Sequence, residues 1–185
     1  MKKYFFLLYY ILIGLLSVQA TNSEMDSLLR RLDTAIEERP LLIEMKKVRL
    51  RELKSHYSNS LSDEERFLRL GGLLEEYRSF NADSSLAITQ ERLQLAQKLE
   101  HREYLDNARM NLAEVMGIAG MYKEALEQMD KVCLDSLSGY LRIYYFHNLR
   151  ILYGWMADYV ILSEEKIRYR KLMNIYTDSL LEHRR

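Results

Sequence analysis

The four histidines, His56, His101, His147 and His183, and the lone Cys133 are the side chains with the most chemistry to offer. A helical zinc site of the hydrolase type needs two histidines three or four residues apart, so that one helix face presents both to the metal. No two of these are that close, and a single cysteine builds neither a multi-cysteine zinc site nor an internal disulfide. The histidines therefore read as surface or capping residues, His101 in a connection between helices, and no metal site is expected. Cys133 has no basic partner fixed nearby by sequence to activate its thiol. It reads as a small residue on a partly buried helix face, with a bond between two chains as the alternative.

Carboxylates occur in adjacent pairs, Glu64-Glu65, Glu75-Glu76 and Glu164-Glu165. A pair can divide acid and base work, but neighbours on a helix point in different directions, so these read as solvated charge. Gly71-Gly72 lacks the strand context and the following lysine of a phosphate loop, and reads as a point of close helix packing. No G-x-S-x-G elbow is present. The densest basic stretch, Lys46, Lys47, Arg49, Arg51 and Lys54, is interleaved with Glu44 and Glu52, which allows i,i+4 ion pairs on a solvated face. The expectation is a non-catalytic chain without a cofactor.

The elements that would position these residues are helices. The 185 residues include 1 proline and 7 glycines, where average usage gives roughly nine and thirteen. An all-β sandwich or barrel needs turn residues far more often than that. Hydrophobic residues make up 48% and charged residues 29%, enough to build a core and too apolar for a disordered chain. The 27 basic and 27 acidic side chains cancel, so the basic excess that drives nucleic-acid affinity is missing.

The first twenty residues have the anatomy of an export signal. Lys2 and Lys3 precede an apolar run, Tyr4 to Leu16, and Val18 and Ala20 supply small residues at the third and first positions before a cut. The expected division is a signal peptide over 1–20 and a helical repeat domain over 21–185. Removal of Lys2 and Lys3 leaves that domain slightly acidic. The expected location is outside the cytoplasm, in the periplasm, with an inner-membrane anchor over residues 4–20 as the alternative. The run is shorter than the roughly 20 residues of a comfortable span, and no cysteine follows it to carry a lipid.

From Glu24 onward the apolar residues have helical period. Leu28, Leu29, Leu32 and Ile36 form one stripe. Pro40 should end or sharply redirect this helix and open the next one, with Leu42, Met45, Leu50 and Leu53 as candidate core. Ser58-Asn59-Ser60 is a polar break, and Ser62 with Glu65 has the spacing of a capping box. A third helix carries Phe67, Leu70, Leu74 and Tyr77, and Asp83 is a candidate cap for a fourth with Leu86, Leu93, Ala96 and Leu99. A fifth carries Tyr104, Ala108, Leu112 and Met116, and Gly120 breaks it before a sixth with Tyr122, Ala125, Met129 and Val132. After the loop at Ser136–Gly139, two more run through Ile143, Leu149, Leu152 and Met156, and through Met173, Tyr176 and Leu180. The tyrosines Tyr140, Tyr144, Tyr145 and Tyr153 read as packing between helices. About eight helices with short connections should pack as antiparallel hairpins.

Leu112-Ala113, Gly120, Tyr122 and Ala125-Leu126 stand in the order L-A-x6-G-x-Y-x2-A-L, which resembles the centre of a tetratricopeptide repeat. A shift back of about forty residues puts Leu86 and Ser85 where Leu126 and Ala125 stand. A shift forward puts Leu152 where Leu112 stands, but Glu165 where Ala125 stands. The period exceeds the usual thirty-four, Arg109 occupies the family's tryptophan position, and its late proline is missing. With the phrases Tyr77-x2-Phe80, Asp83-Ser84, Leu152-Tyr153, Ala157-Asp158-Tyr159 and Tyr176-x-Asp178-Ser179-Leu180-Leu181, the chain resembles the exported tetratricopeptide-like proteins of unknown function common in Bacteroidetes.

That resemblance implies an all-α fold, antiparallel helical hairpins stacked as a short tetratricopeptide-like α-solenoid. It implies a module for protein–protein interaction that binds a protein or peptide. The first helix of each hairpin would line a groove, which carries partner binding onto Asn107, Met110, Glu114 and Gly117. Long members of the group look like membrane regulators, so the alternative function is the sensor half of a membrane-bound transcriptional regulator. This segment should bind no nucleic acid, and would meet a membrane only if its N-terminal run is uncleaved.

Overall fold

A computed structural model of the chain describes the backbone of residues 2–57 and 61–182, with side chains from Glu24 onward. The polar break Ser58–Ser60, His183 and the side chains of the N-terminal apolar run lie outside the described residues. Two units are present, residues 1–49 and 50–185. Among the described residues the regular structure is helical: α1 (Lys2–Ser55), α2 (Asp63–Tyr77), α3 (Ala82–Lys98), α4 (Arg102–Ile118), α5 (Tyr122–Met129), a 3-10 turn at Leu134–Ser136, α6 (Gly139–Tyr159) and α7 (Ser163–Glu182).

The expected break at Pro40 is overturned, because α1 runs through it as one helix. The proline ring removes one backbone hydrogen bond, at roughly 3 kcal/mol. The flanking residues, Ala35–Glu38 and Leu41–Lys47, are mostly strong helix formers, and no glycine or capping residue stands at the junction to turn one lost bond into a stop. Two expected helices are therefore one. In the first unit the stripe Leu28, Leu29, Leu32 and Ile36 is exposed, as are Leu42 and Met45, which had the period of core residues.

The second unit holds the core. Leu50 of α1 is buried with Phe67, Leu70, Leu73 and Tyr77 of α2, Leu95 and Ala96 of α3, and Ala108 of α4. A second cluster joins Met110 and Ala113 of α4, Ala125 and Met129 of α5, and Tyr144, Leu149 and Leu152 of α6. Each helix packs on the next: α2 on α3, α3 on α4, α4 on α5, α5 on α6 and α6 on α7, while α4 also packs on α6. The second helices of the three hairpins begin at Ala82, Tyr122 and Ser163, about forty residues apart. The small residue at the close-packing point is buried in the first two, as Ser85 and Ala125. The third has Glu165, partly exposed, and α7, packed on α6 alone among the described helices, contributes no fully buried residue.

The turns follow from local chemistry. Ser62 caps α2 as expected: the Glu65 amide donates to the serine Oγ at 3.3 Å and the Ser62 amide donates to Glu65 Oε2 at 2.9 Å. The cap of α3 is Asn81 rather than Asp83; its Oδ1 accepts from the Ser84 amide at 2.7 Å. Asp83 already lies inside the first turn, where its charge favours the helix N-terminus. Gly120 has φ +80°. The Met121 amide donates to the Met116 carbonyl and the Gly120 amide to that of Gly117, the paired bonds of a Schellman ending that needs a left-handed residue. His101 caps α4, its ring nitrogen accepting weakly from the Tyr104 amide at 3.4 Å. Cys133 is exposed ahead of the 3-10 turn, not on a helix face, because α5 has already ended at Met129.

Candidate functional site

The first helices of the hairpins, α2, α4 and α6, are tied together by a chain of polar side chains. It begins with Arg92, which comes from the second helix α3. A Cβ added at Gly71 of α2 would stand 3.3 Å from the Arg92 guanidinium, so the glycine makes room for the arginine. The guanidinium lies over the Phe67 ring, 4.3 Å from its centroid. It donates to Asn111 Oδ1 at 2.6 Å and to Asn107 Oδ1 at 3.1 Å. Asn111 then donates through Nδ2 to the Tyr144 hydroxyl at 2.8 Å. That hydroxyl donates to Glu114 Oε2 at 2.5 Å, and Glu114 receives Arg78, past the end of α2, at 3.1 Å.

Burial governs the ionisation of this chain. It lowers the Arg92 guanidinium to about 10, so the group stays charged at neutral pH although its hydrogen-bond acceptors are amide carbonyls. Burial raises the Tyr144 phenol far above its usual value, and the Glu114 charge adds to the effect, so the hydroxyl remains a donor. One turn further along α6, burial lowers His147, with the Arg150 charge next in size. A base held neutral by the fold binds its proton more readily once unfolded. Stability should therefore fall as pH drops below the ordinary histidine value of about 6.5. His147→Gln should flatten the acid side of a plot of urea midpoint against pH; an unchanged slope would remove His147 as the cause.

Beside this chain lies a cleft of about 390 Å³ between α6 and α7. Ile143, Leu180 and Leu181 give it apolar walls, and His147, Arg150 and Thr177 its polar groups. Ile143, expected in the core, is exposed here. Its spacing with His147 and Arg150 puts all three on one face of α6. An apolar cleft with a few converging polar groups can take one side chain of a peptide and fix its direction.

The four residues expected to bind a partner share one face of α4 but divide in role. Asn107 is half-buried and accepts from Arg92. Glu114, 12% exposed, holds Arg78 and Tyr144. Met110 is 0% exposed, sealed in the core, and its carbonyl accepts from Asn148 at 3.2 Å. Gly117 is buried too, and a Cβ there would overlap the Leu152 side chain and stand 2.9 Å from the Trp155 ring. Where Met110 and Gly117 were expected to face a groove, α6 fills the space. Gly117→Ala should consequently destabilise the protein by about 1–3 kcal/mol through overpacking. That corresponds to roughly 2–4 °C of melting temperature per kcal/mol; an unchanged melt would contradict the close α4–α6 approach.

Arg78, Arg92 and Arg150 were not singled out from sequence, and Tyr144 was read only as packing between helices, since the neighbours that give each its place come from other helices. The one local signal was the Ile143, His147, Arg150 spacing. Arg109, in the tryptophan position of the repeat, donates to the Lys131 carbonyl at 2.7 Å and ties α4 to the segment after α5. Among the described residues, no three or more of His, Cys, Asp and Glu are grouped to hold a metal.

Three helical hairpins in sequence, packed neighbour on neighbour with a Schellman glycine inside the central one, define a tetratricopeptide-type repeat protein. The chain belongs to the family described as the SusR N-terminal TPR domain, whose model matches residues 36–185. No curated protein and no solved structure matches it.

Proposed function

We propose that the chain is an exported, non-catalytic module that holds an extended protein or peptide segment along α2, α4 and α6, ending in the α6–α7 cleft. The observation that carries this reading is the cleft itself. It opens one turn of α6 from Tyr144, where the polar chain reaches that helix, and sets Arg150 and His147 beside Ile143, Leu180 and Leu181. Membership of a tetratricopeptide family supports a protein partner. The Arg150 guanidinium in the cleft favours a segment with an acidic side chain next to an apolar one. In this reading Asn107 and Glu114 serve the face by fixing Arg92 and Arg78.

Residues 1–20 supply the export signal in this reading, on the pattern of Lys2, Lys3, the apolar run, Val18 and Ala20. Residues 21–185 then work in the periplasm, or stay at the inner membrane if the signal is uncleaved. Selection from a displayed peptide library tests the binding claim. It should enrich segments pairing an acidic with an apolar residue, and Arg150→Glu should abolish their binding while leaving the melting temperature unchanged. Enrichment of basic segments, or binding indifferent to Arg150→Glu, would sink it.

A second reading is the sensor half of a membrane-bound regulator. It is favoured by the family's description as an N-terminal domain. Reading the DNA beyond the codon for Arg185 separates the two, since this alternative requires a membrane span and a basic cytoplasmic segment downstream.

A further inference from the structure

The helix α7 has two unlike faces. Toward α6 it turns Tyr169, Met173 and Tyr176. Tyr169 and Tyr176 stack on Tyr153 at 6.3 and 5.7 Å, and the Met173 sulfur lies 3.5 Å from where a Gly154 Cβ would be. The opposite face carries Ile167, Lys171, Asn174, Ile175, Asp178 and Leu181, all exposed. Ile167 is 70% exposed and Leu181, at the border of the cleft, 57%. At 100° per residue these six fall within one third of the helix circumference. Ile167, Asn174 and Leu181 recur every seventh residue, the interval that keeps a row on the seam between two paired helices.

The geometry points to a second copy of this chain as the partner of that face, with the two α7 helices antiparallel and a two-fold axis at Asn174. Self-complementarity carries the assignment. With Asn174 opposite its own copy, Ile167 stands opposite Leu181 of the second copy, and Leu181 opposite Ile167. Lys171 lies on the same flank of the seam as Asp178 of the second copy and within one residue of its level. Lys171 occupies the first half of the face and Asp178 the second, so the antiparallel pair joins unlike charges where a parallel pair would join like ones. A two-fold interface is isologous: each contact occurs twice. One apolar–apolar contact and one ion pair are therefore doubled, and the central asparagine fixes the register, as a lone polar seam residue does in coiled coils. A single helix per copy buries less than a standard interface of about 1,600 Å², so association is weak and concentration-dependent.

The test uses the full chain, dispersed in mild detergent so that residues 4–16 do not drive association, with Cys133→Ser to remove the native thiol. Asn174→Cys should form a disulfide-linked dimer under mild oxidation. Asp178→Cys should not, since the register holds it about 12 Å along the helix from its own copy. Without oxidation, Asp178→Lys should raise the dimer dissociation constant roughly tenfold by turning two exposed ion pairs repulsive. Adding Lys171→Asp should restore the original value. A chain that stays monomeric, cross-linking at 178 equal to that at 174, or a charge reversal that Lys171→Asp does not rescue would each overturn the proposal.

Discussion

Met110→Lys should abolish the cooperative thermal transition of this protein. Met110 is fully buried and belongs to the cluster that joins α4 to α5 and α6. The cluster holds no carboxylate, and those one turn away on α4 are engaged, Asp106 with Arg102 and Arg109 and Glu114 with Arg78 and Tyr144. Burying an unpaired charge costs at least several kcal/mol, comparable with the whole stability of a domain, about 5–15 kcal/mol. Met110→Leu, nearly equal in volume, should lose less than about 1.5 kcal/mol. Circular dichroism melts of the two variants decide the matter. A cooperative melt for Met110→Lys near that of the parent would mean that Met110 faces solvent or a groove. This changes how the binding face must be probed: disruption at Met110 reports on folding, and only residues such as Arg150 report on the partner.

Removal of the Arg92 side chain should be the other large effect. Arg92→Ala empties the space beneath Gly71 and Phe67 and leaves the Oδ1 atoms of Asn107 and Asn111 without their donor. An orphaned buried acceptor costs about 1–3 kcal/mol, and the cavity adds to it. A loss on the order of 3 kcal/mol is therefore expected in urea unfolding. The sign is not self-evident, because burial disfavours the guanidinium charge, and replacing a buried ion by an apolar group of its own size is often neutral or better. Arg92→Met separates the contributions. It refills most of the volume, so its loss should fall well below that of Arg92→Ala; equal losses would assign the whole effect to the hydrogen bonds.

The parts of the fold legible in the sequence were those fixed within a few residues. The Ser62–Glu65 box, the left-handed Gly120 and the helical periods of α2 to α6 each depend on neighbours within one or two turns. The repeat phrase from Leu112 to Leu126 was legible because close packing of α4 on α5 requires a small residue at Ala125. Pro40 was misleading, since its penalty is local and a long run of helix formers absorbed it. Ile143 was misleading in another way: its period fits a buried face, but it borders the α6–α7 cleft, where no further side chain among the described residues covers it.

The candidate site was legible only in part. The resemblance to a tetratricopeptide repeat implied Asn107, Met110, Glu114 and Gly117, which share one face of α4. Which of them are sealed depends on how closely α6 approaches, and that distance is set by Gly117 against Leu152 and Trp155. Arg92 reaches the site from α3, so no pattern within α4 could announce it.

Hydrogen exchange of the chain with and without a library-selected acidic–apolar peptide tests the central claim most directly. Binding along the first helices and into the α6–α7 cleft predicts slowed exchange in α4 around Asn107–Glu114, in α6 around Ile143–Arg150 and at the C-terminal end of α7. The outward faces of α3 and α5 should be unchanged. Protection confined to α3 and α5, or protection absent at saturating peptide, would contradict a partner-binding face on α2, α4 and α6.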